Sequence, residues 1–304
     1  MTPASIELAA GAARVALLPA TGGAIASFTW RGRDVLRPMP AAARHAGNVR
    51  LAACYPLVPY SNRIRDAQLR FDGVVHPLAR NFGDHPHAIH GVGWQRGWRI
   101  LDASRSGAVM AYAHTAIGAD ALAWPWPFTA MQTCDLAAGD THACLTLTLT
   151  IANTGDTPFP FGLGWHPFFP RDASTALRFD ARDVWLTDAT QLPIEQVAAQ
   201  GPWSFATARG PGTATIDNVF TGWHGVATLE SPQRQLTTTI AADRACDRVV
   251  VYAPAGRDFI AVEPVSHETD AFNRDAEGAS RTGTRVLRPG EAFSCTMRID
   301  VTTR

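Results

Sequence analysis

No lysine occurs among the 304 residues; all 27 basic positions are arginine. Schiff-base catalysis, pyridoxal phosphate anchoring and a Walker-type phosphate loop each depend on a lysine amine, so all three are excluded. Any cationic contact to a substrate must come from Arg or His. Net charge is also absent, because 27 acidic residues balance the 27 arginines. That argues against nucleic acid or an anionic membrane as partner, since both select for a basic surface. Cysteine is scarce: Cys54, Cys134, Cys144, Cys246 and Cys295 are scattered, odd in number and never in a C-x-x-C pair. Neither a disulfide framework nor a thiolate zinc site follows from that spacing. Free, mostly buried thiols in a reducing compartment are expected. No apolar run approaches the roughly 18 residues of a membrane helix. Arg14 interrupts the only apolar stretch near the start, so no signal peptide is expected, and the expected location is cytoplasmic.

What the sequence does have is a period of two. Ala143, Leu145, Leu147, Leu149 and Ile151 alternate with Cys144, Thr146, Thr148 and Thr150. That predicts a long strand with one buried face. Asn153-Thr154-Gly155-Asp156 supplies the turn after it. Near the C-terminus, Phe293, Cys295, Met297, Ile299 and Val301 repeat the pattern behind Pro289-Gly290. Val249–Tyr252 and Phe259–Glu263 read as a hairpin. Ile6–Leu8, Arg14–Leu18, Ala24–Trp30 and Asp34–Leu36 add short strands. Only 40–46 and 117–123 carry helical signals, a turn or two each. Gly and Pro, 25 and 21 in number, are spread throughout, with no linker, repeat or low-complexity tract. The expectation is one domain over 1–304, all-β, a large antiparallel β-sandwich with long functional loops. A chain of this length buries about three quarters of its unfolded surface, enough for a substantial core. Nine Trp serve either as that core or as platforms for sugar C–H faces.

Four segments place polar residues where a strand pattern wants apolar ones. They are Tyr60-Ser61-Asn62-Arg63-Ile64-Arg65, His85-Pro86-His87-Ala88-Ile89-His90-Gly91-Val92-Gly93-Trp94, Phe161-Gly162-Leu163-Gly164-Trp165-His166-Pro167-Phe168-Phe169 and Ala261-Val262-Glu263-Pro264. Phe259, Ala261 and Glu263 share one strand face and Ile260 and Val262 the other, so neither face looks solvated. Glu263 is then either an edge carboxylate at a strand end or a buried, functional one. His166, held extended by Pro167, is either a satisfied histidine among aromatics or an acid–base group. His85 and His87 would share a strand face, as in cupin-type metal sites, but no carboxylate follows at the required spacing. A hydrogen-bonding role for His90 carries more weight than a metal.

Taken in order, these segments resemble the aldose 1-epimerase (galactose mutarotase) family. The matching motifs are Asn62-Arg63 followed by Arg70-Phe71-Asp72-Gly73, then His90-Gly91 with Trp94 and Trp98, then Gly164-Trp165-His166-Pro167-Phe168-Phe169, then Asp217 in Ile216-Asp217-Asn218-Val219-Phe220, and last Glu263 in Val262-Glu263-Pro264. The resemblance runs from about Gly22-Gly23 to the final strand. It implies a galactose mutarotase-like β-supersandwich, an isomerase acting on a monosaccharide, no cofactor and no metal, as a monomer or homodimer. It also implies Glu263 and His166 as the catalytic base and acid, with Asn62, Arg63, His90 and Asp217 binding the substrate. Phe168 stands where many members have Tyr, a sugar-contacting glutamine has no clear counterpart, and Ser266–Asn273 is unlike the galactose-type enzymes. Those departures leave the sugar open. A non-catalytic sugar-binding or sensing protein on the same scaffold, or a mutarotase for an anionic sugar read by Arg63 or Arg65, are the alternatives. Arg65 would share a face with Arg63 in an extended segment, but pairing with Asp66 or another acid is the simpler role, so a neutral aldose is expected.

Overall fold

The computed structural model describes residues 5–277 and 279–303. Two eight-stranded sheets dominate it, and every ladder between their strands is antiparallel. The first is centred on His142–Asn153 and Ala292–Thr303, paired with Leu147 opposite Met297. Leu145, Leu147, Leu149 and Ile151 are fully buried, as are Cys295, Met297, Ile299 and Val301. Each such side chain contributes about 1.5–3 kcal/mol when removed from water. On the opposite face the hydroxyls pair across strands, Thr148 with Thr296 at 3.2 Å and Thr150 with Ser294 at 2.8 Å. That is why threonine fills the alternate positions. The expected turn forms as well, with the Gly155 N–H donating to Asn153 Oδ1 at 2.8 Å.

The second sheet includes Ile216–Thr221, Arg248–Ala253 and Phe259–Val265, with Phe168–Pro170 paired on Phe259–Val265. The strands Arg248–Ala253 and Phe259–Val265 are buried on both faces, which explains their near-continuous apolar sequence. Val249, Val251, Ile260 and Val262 join the same apolar cluster as Leu147 and Met297, so the two sheets pack on each other there. Val250 and Ala261 turn away from it into a smaller cluster with Phe168 and Val219. Beside that smaller cluster the surface opens into a cavity.

Ile6–Ala10, Ala13–Leu18, Ala24–Trp30 and Arg33–Asp34 form a separate four-stranded sheet. Helices Ala41–His45 and Ala119–Ala123 are five residues each and lie where the two helical signals were. All five cysteines are free and buried. Among the described residues no helix is long and apolar enough to cross a membrane.

Candidate active site

The cavity holds about 950 Å³, and all six residues singled out in the sequence line it: Asn62, Arg63, His90, His166, Asp217 and Glu263. Strand register puts four sheet residues on one surface. Asp217 lies opposite Tyr252, and Val250 lies opposite Glu263. Tyr252 and Val250 are two residues apart, so they project on the same side.

At the floor, His166 Nε2 stands 3.3 Å from Glu263 Oε1, and both side chains are almost completely buried. The His166 backbone N–H is tied to the Tyr55 carbonyl at 3.0 Å. Its ring lies between Phe168, stacked at 4.3 Å, and Tyr55 at 5.0 Å. Burial in that sandwich lowers the His166 pKa to about 3, with the Arg37 charge adding to the effect. Burial also raises Glu263 well above its ordinary 4.5; Asp217 pushes the same way and Arg63 opposes. The contact has ion-pair geometry, yet both shifts favour the uncharged partners. Desolvation dominates both groups and sets the direction. In either arrangement the two residues share one proton.

His90 and Asn62 are locked to each other. The Asn62 N–H donates to His90 Nδ1 at 3.0 Å, and the His90 N–H donates to the Asn62 carbonyl at 2.8 Å. Because Nδ1 accepts, the neutral ring carries its proton on Nε2. Burial lowers the His90 pKa well below the usual value, with His166 and Arg63 contributing, so the ring offers the cavity an uncharged donor. Both residues adopt left-handed backbone conformations, with φ of 58° and 63°. Such geometry is unfavourable for a histidine and persists only where the surroundings enforce it. Gly91 follows at φ 70°, and a Cβ there would lie 2.4 Å from the Val58 carbonyl oxygen.

Arg63 is also committed. Its Nη1 donates to Asn62 Oδ1 at 2.9 Å, and its Nη2 donates to Asp217 Oδ2 at 3.1 Å. Burial raises the Asp217 carboxyl, and the Arg63 charge opposes that rise. The three side chains form a fixed polar rail of donors and acceptors suited to neutral hydroxyls.

Arg65, by contrast, does not line the cavity. A turn at Arg65–Ala67 breaks the extended segment, and Arg65 Nε pairs with Asp270 at 3.4 Å. It has the simple acid-pairing role. His87 accepts the Asp66 N–H on Nδ1 and contacts Thr190 through Nε2, so both its nitrogens are occupied. Among the described residues no group of three or more His, Cys, Asp or Glu side chains is arranged to hold a metal.

The segment after Glu263 braces the Ser61–Arg65 loop. His267 Nε2 accepts the Ser61 N–H at 3.3 Å, the Asp270 N–H donates to the Arg63 carbonyl at 2.9 Å, and Asp270 Oδ1 accepts the Arg65 N–H at 2.9 Å. Gly162 is needed beside it, since a Cβ there would stand 2.1 Å from His267 Nδ1. Replacing Asp270 by Ala removes a nearly buried acceptor from this brace. The variant is expected to lose about 1–3 kcal/mol of stability. Thermal melts of the variant beside wild type check the loss.

A family model for aldose 1-epimerase matches residues 4–300. The chain belongs to the aldose 1-epimerase family. The Escherichia coli (strain K12) uncharacterized protein YphB is 31% identical over 292 residues, covering 92% of this chain and 93% of that one. A crystal structure from Escherichia coli K12, of a protein described as a candidate aldose 1-epimerase, superposes with a TM-score of 0.88 at 26% identity, over 99% of each chain. A galactose mutarotase-like protein from Clostridium acetobutylicum shares the fold, with a TM-score of 0.86 at 17% identity over 99% and 95% of the two chains. The galactose mutarotase-like β-sandwich is therefore the architecture of this member of the aldose 1-epimerase family.

Some cavity residues escaped the sequence reading. Tyr55 lies in an apolar run from Leu51 to Val58, where nothing in the pattern distinguishes a core face from a cavity face. Arg37 sits in a short connection with no period at all. Among the described residues, the aromatic walls are Tyr55, Phe82, Phe168, Tyr252 and Phe259, with no tryptophan. Trp94 and Trp98 instead point their indole N–H groups at backbone carbonyls and are buried as core.

Proposed function

We propose that this chain, acting as one unit over 1–304, is a mutarotase: it interconverts the α and β anomers of a free aldose. The observation that carries the reading is the buried His166–Glu263 contact at 3.3 Å on the cavity floor. A binding protein needs neither an isolated carboxylate nor an imidazole there. With His166 protonated and Glu263 ionised, Glu263 takes the proton of the anomeric O1 hydroxyl. His166 gives its Nε2 proton to the ring oxygen, and the C1–O5 bond breaks to leave an aldehyde. Rotation about C1–C2 presents the other carbonyl face. Glu263 then returns its proton to the carbonyl oxygen while His166 takes one from the O5 hydroxyl, and the ring closes.

Each transfer contributes about 10² to 10⁴ in rate. The two proton arrangements of the pair are the two ends of this half-reaction. Burial favours the uncharged arrangement, which is the one that accompanies the open-chain sugar, so desolvation of the site drives ring opening. His90, Asn62, Arg63 and Asp217 hold the hydroxyls and orient C1 and O5, which is the proximity contribution.

Polarimetry on freshly dissolved α-anomers, with chelator present and no added cofactor, tests the reading. A catalysed approach to equilibrium for at least one aldose is expected. Sugar binding without acceleration would make the chain a sensor on the same scaffold.

A further inference from the structure

Among the described residues six guanidinium groups line the cavity, and two are neutralised within it: Arg63 by Asp217 and Arg234 by Asp34, at 3.1 and 3.9 Å. Arg37 and Arg171 differ from these. Neither makes an ion pair among the described residues. Arg37 is half-buried, lying flat on Phe168 at 4.2 Å and on Phe259 at 4.4 Å. Its Nη2 donates to the Ala52 carbonyl, while its Nε is buried without a partner. Arg171 donates Nη2 to the Gly212 carbonyl at 2.7 Å and leaves Nη1 buried and unpartnered. The two belong to one corner. The Arg37 N–H bonds the Phe168 carbonyl, and the Arg171 N–H bonds the Asp258 carbonyl beside Phe259. Asp258 is the carboxylate whose field reaches Arg37, but it is exposed and forms no ion pair among the described residues.

A partly buried guanidinium with idle donors is unfavourable unless a ligand supplies the counter-charge. We propose that this corner is an anion subsite, and that the sugar turned over here carries a carboxylate, phosphate or sulfonate on C6. This rests on the mutarotase reading, which fixes the sugar's orientation. O5 faces His166, and C6 branches from C5, the carbon next to O5. Phe168 stacks on His166 at 4.3 Å and also carries the Arg37 guanidinium at 4.2 Å, so a C6 substituent beside His166 lies within reach of Arg37. The cavity volume also suits more than a bare monosaccharide, lying near the upper end for small-molecule sites. Binding an anion has a further consequence. Arg37 is the largest charge holding His166 unprotonated. A C6 anion cancels that field and eases protonation of His166, the form that opens the ring.

The neutral sugar expected from the sequence rested on Arg65, which is engaged by Asp270. Arg37 and Arg171 lie on a different wall. The test compares kcat/KM for anomer exchange of glucose, glucuronate, glucose 6-phosphate and 6-deoxy-6-sulfoglucose at low and high salt. At least one anionic sugar is expected to exceed glucose by about tenfold or more, the scale of a charge-assisted hydrogen bond, with the advantage shrinking in salt. Arg37→Gln and Arg171→Gln should each collapse the anionic-to-neutral ratio, whereas Arg99→Gln, on an exposed strand of the other sheet, should leave it unchanged. Which anionic sugar leads identifies the headgroup. Glucose exchanged as well as every anionic sugar would overturn the subsite and leave the mutarotase standing. A preference that survives both cavity variants would overturn it too. Exchange of none of the sugars would remove the mutarotase reading, and the subsite with it.

Discussion

Glu263→Gln is expected to slow anomer exchange by at least about 10², because the amide keeps the shape of the base but cannot accept the O1 proton. The same variant is expected to fold and to be no less stable than wild type. Burial raises the Glu263 carboxyl well above its ordinary 4.5. The folded chain therefore holds this proton to higher pH than the unfolded chain does. Between pH 4.5 and the raised value, unfolding releases a proton, and wild-type stability falls as pH rises through that window. The amide carries no such proton, so the variant gains on wild type as pH climbs above 4.5. Thermal melts across pH, read beside exchange rates, separate the two effects. Loss of activity accompanied by a stability gain is the signature of a strained functional group. Loss of both would mean that Glu263 is structural.

His166→Asn is the second large effect. In the proposed mechanism the proton that His166 donates to O5 stabilises the transition state, not the bound sugar, so kcat should drop by about 10² to 10⁴ with KM little changed. His90→Asn behaves differently. His90 is held by reciprocal bonds to Asn62 and, as proposed, presents its Nε2–H to a substrate hydroxyl, so its loss should raise KM and lower kcat together. Steady-state polarimetry of the two variants distinguishes acid from binder. An essential His90 beside a dispensable His166 would exchange their roles.

Much of this was legible in the sequence, for identifiable reasons. The strand around Leu147 announced itself because one face is buried and the other carries threonine. The site sheet was legible in another way. Val249, Val251, Ile260 and Val262 pack on the large core while Val250 and Ala261 fill a second one, so neither face alternated with polar residues and Glu263 stood out. His166 and Asn62-Arg63 stood out because polar residues interrupt apolar or glycine-rich runs. What stayed hidden depends on long-range pairing. Tyr55 reads as core until the His166 N–H is seen bonded to its carbonyl. Arg37 reads as a loop residue until Phe168 and Phe259 are seen beneath it. Arg65 was placed beside Arg63 by assuming an extended backbone. The left-handed Asp66, at φ 52°, bends the chain and sends Arg65 to Asp270.

In the proposed mechanism protons move only between oxygen and nitrogen atoms, never to carbon, while the Glu263–His166 pair opens and closes the ring. Magnetisation-exchange NMR of the two anomeric protons in D₂O, with wild type and Glu263→Gln side by side, tests it most directly. The expected result is fast α–β exchange in wild type, exchange at least about 10² slower in the variant, and no deuterium at C1 or C2 in either. Deuterium entering C2, or equal exchange by wild type and variant, would contradict the account.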